Sequence, residues 1–464
     1  MKLTALIFLT ALCPLLSAIA QESVPVVTLA QSIDATLTNG DDIKILQRSL
    51  DVVRAQHALN VSRNSLSLAG SAGYGAVWPF GTEALVLSKS VSSPLSNPPG
   101  AVAGVALSGP MTNVSVSAIP YVPPVPGTDT TGVVGASVTQ TLWNGYPGGQ
   151  NQATVDKSLL TLQGKELATE SGTLGLIYNV KQAYYVMLGA QRSLALRKQI
   201  FEQQDSVLKQ ITAIYELKLA STADLKTAQL NARSAQVDVD SAANDLHFAR
   251  LGLATLMGFP AEKDFTVADA PQPSVKVDTV EQAVSAGLGR RVDIKLVELN
   301  IKSSNVDLAV TRGQATPTVS VSGGVNWLYD WSSVMHAGVA GAAVKLSMPI
   351  LDAGAVKNQV DSILRQNDVY ALQETQLRKS IATAIQSAWQ AVQIDGEKLE
   401  VARLGVEAND LQYQIVSAQR DSGTASNQDL LTAAVNLANA RNALATAQST
   451  VELAVLQLQN VMGY

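Results

Sequence analysis

The sequence predicts a mainly α-helical chain with a β-barrel part, built from a duplicated unit of long coiled-coil-like helices and two strands. Three observations predict it. The chain repeats itself: Thr28, Asp42-Ile43-Lys44 and Gly73 recur at one constant offset as Thr279, Asp293-Ile294-Lys295 and Gly324. A second, shorter offset carries Asp224-Leu225 onto Asp429-Leu430 and Met257-Gly258 onto Met462-Gly463. Each copy then carries a sustained heptad, and before it two short segments that alternate apolar with small or polar residues.

The chain opens on a secretory leader, residues 1–20. Lys2 supplies the charged start, Leu3 to Leu16 the apolar run, and Ala18-Ile19-Ala20 the small-x-small cleavage site. Cys13, the only cysteine, falls inside it, so the mature chain is expected to have no disulfide or thiol chemistry. The first structural repeat is expected over 21–270 and the second over 271–464. The offsets differ because the first copy carries a Pro/Ser/Gly-rich insertion between Pro79 and Thr131. Beyond the leader no window reaches the ~18 continuous apolar residues of a membrane-spanning helix. Acidic residues exceed basic ones, 38 against 33, with no basic run for nucleic acid. Aromatics are only 5%, which favours thin packing of small side chains, helix on helix, over a thick globular core.

The strands come first within each copy. Residues 65–77 and Gly132 to Leu142 alternate weakly. Thr318-Val319-Ser320-Val321-Ser322 and Ala337 to Met348 alternate cleanly. Trp78, Trp143, Trp327, Tyr329 and Trp331 lie near strand ends, as in the aromatic girdle of a transmembrane barrel. Four strands per chain cannot close a barrel, so it must be shared: two copies give eight strands and three give twelve.

The helices follow. From Ala153 to Leu217 there is no proline, and Val180, Met187, Leu194, Phe201, Leu208 and Tyr215 run at period seven. Ile385, Val392, Leu399, Val406 and Tyr413 repeat this. In the returning helices, Leu225, Ala232, Val239, Leu246 and Leu253 pair with Ala228, Ala235, Ala242, Ala249 and Leu256 as a and d positions. The second copy has Leu430, Leu437, Leu444, Val451 and Leu458 with Ala433, Ala440, Ala447, Ala454 and Val461. Ala at one seam position lets helix axes approach closely. Ser221 or Thr222, and Ser426 or Asn427, are N-cap candidates between the two arms. On the heptads alone, a non-pore periplasmic or surface coiled-coil structural protein fits as well.

The chain resembles the TolC-like outer-membrane efflux family over essentially the whole mature sequence. The resemblance rests on the duplication, the strand entry Ala315-Thr316-Pro317-Thr318-Val319-Ser320, and the strand exit Pro349-Ile350-Leu351-Asp352-Ala353-Gly354. It rests also on the hairpin turn from Gly423 through Asn427 to Leu431 and on the terminal Met462-Gly463. It implies a homotrimer with a twelve-stranded barrel in the outer membrane and a helical tunnel across the periplasm. It also implies a periplasmic adaptor and an inner-membrane transporter docking at the hairpin turns, with export of small toxic compounds or, by type I secretion, of proteins. In the family two acidic residues one helical turn apart ring the entrance. Here the first is Asp429 and the second position is Thr432. The family's clamping arginine falls on Ala425, which leaves Arg420 or Asp421, beside Gly423, as replacements.

Asp224 and Asp429 each also fit a simpler role as first-turn partners of a helix dipole. His57, His247 and His336 are scattered, without metal spacing, and no nucleotide or catalytic motif occurs. A conduit with no cofactor and no catalysis is expected, and the insertion is expected on the cell exterior, either as a surface loop or with Val102 to Leu107 and Val114 to Ile119 extending the hairpin as strands.

Overall fold

The computed structural model describes residues 25–65, 67–75, 100–109, 111–119, 131–260, 263–275, 277–330 and 336–464. The expected leader, Trp78, Trp331 and much of the Pro-rich insertion lie outside the described residues. In chain order the elements are β1 (Val26–Val27), α1 (Leu29–Asn39), α2 (Asp41–Arg63), β2 (Ser67–Gly75), β3 (Gly100–Ser108), β4 (Thr112–Ile119), β5 (Thr131–Trp143), α3 (Gln150–Glu216) and α4 (Thr222–Leu256). The chain continues with β6 (Thr266–Val267), and the second copy follows with α5 (Val280–Arg290), α6 (Val292–Gln314), β7 (Thr318–Asp330), β8 (His336–Ser347), α7 (Ala355–Asp421) and α8 (Asn427–Val461).

The helices match in length copy for copy. α1 and α5 have 11 residues each, α2 and α6 have 23, α3 and α7 have 67, and α4 and α8 have 35. At 1.5 Å per residue, α3 and α7 are each roughly 100 Å long. No helix among the described residues is long and apolar enough to cross a membrane.

The residues group into two compact units. In the first, which holds α4, most of α8 and the adjoining parts of α3 and α7, the seam follows the heptads. Ala228, Ala232, Ala235, Ala242 and Leu253 of α4 are buried. Val207 and Ile211 of α3 pack on Ala228 and on Leu431 of α8, and Ile200 packs on Ala235 and Ala438. The α3 stripe is thus centred one residue before the predicted Phe201 and Leu208, which form its partly buried flank. Val416 of α7 packs against Leu430 and Ala433 on another side of α8. So α8 is wedged between neighbours, and it buries adjacent pairs such as Leu430-Leu431 and Ala433-Ala434. In the same unit β1 and β6 pair in parallel, and the fully buried Tyr184 donates its hydroxyl to the carbonyls of Ala268 (2.7 Å) and Val27 (3.2 Å).

The second unit contains the sheet and a helical core. There Ala283, Ile294, Ile381, Ile385, Leu458 and Met462 come together. The sheet is antiparallel throughout, in the order β2-β3-β4-β5-β7-β8. Among the described residues the sheet has six strands: β2, β5, β7 and β8 are the four expected ones, and β3 and β4 are added to them. The additional pair, β3 and β4, comes from the insertion, where Val102 to Leu107 and Val114 to Ile119 carry the alternation. These are the two stretches of the insertion that the sequence offered as further strands, set between prolines that suit only the ends of strands.

The register sorts the sheet into two faces. Val114, Val116, Val138, Val321, Val325, Val344 and Leu346 share one face by their pairing. Ser115, Ser117, Ser137, Thr139, Ser320, Ser322 and Asn326 share the other. The polar face is close-set: Ser115 and Ser137 hydroxyls are 2.8 Å apart, and a Cβ on Gly135 would collide with the Asn326 amide oxygen.

Candidate functional site

The functional expectation falls on the two helix-hairpin turns, and both are built by the same backbone device. α7 ends with Gly423 in the left-handed region (φ 76°). The Thr424 amide donates to Gln419 O at 2.8 Å and the Gly423 amide to Arg420 O at 3.0 Å. This is a Schellman cap, which satisfies carbonyls left over at a helix end. α3 ends the same way. Leu219 N donates to Ile214 O (3.0 Å) and Lys218 N to Tyr215 O (2.9 Å), and Lys218 takes the left-handed position at φ 57°. The absence of a glycine at Lys218 hid this cap from the sequence.

The returning helices begin alike. Ser426 N donates to Asp429 Oδ2 at 2.9 Å, Ser426 Oγ donates to the same oxygen at 2.6 Å, and Asp429 N donates back to Ser426 Oγ at 3.1 Å. Ser221 and Asp224 repeat the reciprocal amide bonds at 3.0 and 3.1 Å. Of the alternatives left open by the sequence, the serines are the caps, and each Asp is the third helical residue of a capping box. The Ser426 hydroxyl, then its amide, hold the Asp429 carboxyl below the usual aspartate range.

Asp429 and Thr432 lie on the exposed side of α8, opposite Leu430, Leu431, Ala433 and Ala434. Thr432 Oγ1 donates to Gln428 O at 2.8 Å within its own helix. Arg420 is largely covered. It reaches Asp421 Oδ1 at 2.9 Å and Asn427 Oδ1 at 3.5 Å, and so ties the end of α7 to the start of α8. The structure therefore brings Arg420, Asp421, Gly423 and Asp429 together in one turn, with Asn427 as a partner that sequence reasoning assigned no such role. Asp224 stands in the other turn.

At the sheet end two junctions are shaped by close backbone contacts, one of them in the strand exit from Pro349 to Gly354 that the sequence singled out. Gly145 (φ 93°) meets Gly313 so closely that neither has room for a Cβ. Asp352 accepts from Gly354 N (3.0 Å) and Val356 N (3.1 Å), which cap α7 and hold its carboxyl below the usual range. No group of His, Cys, Asp and Glu among the described residues could hold a metal ion.

A family model described as outer membrane efflux protein matches residues 124–259 and 283–464, well over half of the chain. The chain belongs to the outer membrane efflux protein family. This is a family of transport channels, and its compartment is the outer membrane. The toluene efflux pump outer membrane protein TtgC of Pseudomonas putida is 25% identical over 312 residues, 64% of this chain and 62% of TtgC. The chain thus spans about three fifths of that relative's length. The outer membrane efflux protein BepC of Brucella suis is 22% identical over 73% of this chain and 74% of its own. Among solved structures, CusC superposes with a TM-score of 0.72 at 16% identity, over 94% of this chain and 92% of CusC. The MtrE outer membrane channel of Neisseria gonorrhoeae gives 0.67 at 18% identity, over 94% and 88%. These likenesses show the efflux-protein fold.

Proposed function

We propose that three copies of this chain form an outer-membrane export channel for small toxic compounds, working with a periplasmic adaptor and an inner-membrane pump. The observation that carries it is the open two-faced sheet. An apolar face suits lipid and a small, polar face suits a water-filled lumen. Edges β2 and β8 have no outer partner among the described residues, a state that hydrocarbon does not tolerate. Apolar side chains left open on α4 (Leu230, Val237, Phe248) and on α7 (Leu404, Leu411, Ile415) supply helical surfaces for the same closure.

The family membership and the similarity to TtgC, a toluene efflux pump protein, support efflux of small compounds over protein secretion. Around the three-fold axis, Asp429 forms a ring of three carboxylates at the narrow mouth, with Thr432 one turn further in. Arg420, Asp421 and Gly423 set the turn that must move when the mouth opens, and Asp224 acts as a cap. A deletion strain tests the reading. It should become several-fold more susceptible to toluene-like solvents and antibiotics, with its secreted proteins unchanged, and the purified protein should conduct in planar bilayers. Unchanged susceptibility together with loss of a secreted protein would make the cargo a polypeptide.

A further inference from the structure

A single charge stands on the polar face of the sheet near its helix-bearing end. Lys345 lies close to the end of β8, just before the chain passes into α7. Its register partner is Ser320, which pairs in turn with Thr141 of β5. Val344 and Leu346, on either side of it, pair with Val321 and Val319 and belong to the apolar face. The alternation of a strand therefore sets Lys345 on the polar side. Around it that side is uncharged, with Ser, Thr, Asn and Gly at alternate positions from Thr318 to Asn326 on β7 and from Gly135 to Thr141 on β5. The next charge along β7 is Asp330 at its far end, roughly 33 Å from Ser320 at the rise of a strand.

Nothing nearby neutralises this charge. Lys345 is exposed and has no ion pair among the described residues. Asp352, the next acid along the chain, is engaged by the amides of Gly354 and Val356 at the start of α7. In a closed ring β8 meets β2 of the next chain, and Ser67–Gly75 holds only Ser, Leu, Ala, Gly and Tyr. The helix that leads into β2 ends on a further cation, Arg63. A lysine at a strand end has an ordinary use, reaching along the lipid side to the headgroups. That use requires the apolar face, and the register puts Lys345 on the other.

Resting on the trimeric channel reading above, we propose that Lys345 lines the lumen as a ring of three ammonium groups at the helix-bearing end of the barrel. The ring is a contact for anions, and for the carboxylate or sulfonate group of an anionic cargo molecule. Rings of like charge in a pore enrich ions of the opposite sign, so this filter has the sign opposite to that of the proposed Asp429 mouth. A unit charge about 7 Å away in water changes the local concentration of a univalent ion by a factor of about three, before screening. Its reach is about 10 Å at ~0.1 M salt, which takes in Ser322 and Ala343, one step along the polar face on β7 and β8.

Thiol reactivity measures that enrichment where it arises. The only cysteine of the chain, Cys13, lies in the expected leader, so a single cysteine can be introduced without background. Ser322→Cys, Ala343→Cys and Val344→Cys are made separately in the full chain, in variants that still give a heat-resistant oligomer. Each is reacted at low salt with an anionic and with a cationic thiosulfonate. Ser322→Cys and Ala343→Cys should react at least tenfold faster than Val344→Cys. At both sites the ratio of anionic to cationic rate should fall at least threefold with Lys345→Gln, fall further with Lys345→Glu and be retained with Lys345→Arg. A ratio unmoved by Lys345→Gln and Lys345→Glu at reactive sites would overturn the ring and leave the channel reading standing. If Ser322→Cys and Ala343→Cys react no faster than Val344→Cys, the polar face is not the water-filled one and both readings fall.

Discussion

Lys218 and Gly423 occupy the same position in duplicate turns, and only one of them suits it. A side chain in the left-handed region costs roughly 1–2 kcal/mol relative to glycine. Lys218→Gly should therefore raise the midpoint of thermal unfolding by a few degrees, and Gly423→Lys should lower it. Equal midpoints would mean that the α3–α4 turn relaxes without strain. Asp429 makes a different kind of prediction. Asp429→Asn removes three negative charges from the proposed mouth and should reduce cation preference and block by divalent cations, with trimer assembly intact. Its pKa is lowered in the folded chain, so its cap and its charge are fully present above the ordinary aspartate pKa and lost as pH falls through the lower folded value. Cation preference in bilayer recordings should persist as pH falls to the ordinary aspartate pKa and be lost as it falls further, through the lower folded value. Selectivity unchanged by both the substitution and acid would leave Asp429 as a cap alone, which is the role Asp224 already fills by the same bonds. The sequence made these capping boxes legible, because a serine three residues before an aspartate is a local signal. The Arg420–Asn427 contact was not legible, since it depends on how the turn closes.

Among the elements, the helices were readable and the sheet only in part. A period of seven held over five repeats survives as the buried seam of α4, where Ala228, Ala235 and Ala242 all lie inside. Neighbours blur it in α3 and α8, which pack on more than one side, so that Ile200 and Leu431 are buried where the heptad predicts flanks. A strand of eight residues gives little periodicity between prolines, so β3 and β4 were legible in the sequence only as an alternative to a surface loop, and their pairing sets their place in the sheet. The Gly145–Gly313 contact was likewise invisible, because two single glycines far apart in the chain carry no shared pattern. The exposed apolar residues of α4 and α7 give a test at this scale. Leu411 is 55% exposed in the isolated chain, and Leu404 and Ile415 are similarly exposed. Leu411→Glu should leave the helical signal by circular dichroism unchanged and reduce the oligomer on electrophoresis severalfold. If the oligomer persists, that face of α7 looks to solvent and another surface closes the assembly.

For the whole molecule, the open sheet ties folding to assembly. Each chain brings two sheet edges, β2 and β8, and within hydrocarbon each unpaired backbone group costs several kcal/mol. No single chain can satisfy them by itself, because six strands are fewer than the smallest barrels use. In the proposed trimer the edges are satisfied together, when the last chain completes the ring. A folded monomer in a membrane is therefore not an intermediate of any lasting population, and stability depends on protomer concentration. Two transitions should then coincide when the purified protein is heated in detergent. Loss of the slow-migrating oligomer on electrophoresis and loss of the β-sheet infrared band should share one midpoint, which rises with protein concentration. Chemical cross-linking below that midpoint should give the mass of three chains. A sheet band that outlasts the oligomer would mean that a lone chain protects its own edges, and the shared barrel would have to be abandoned.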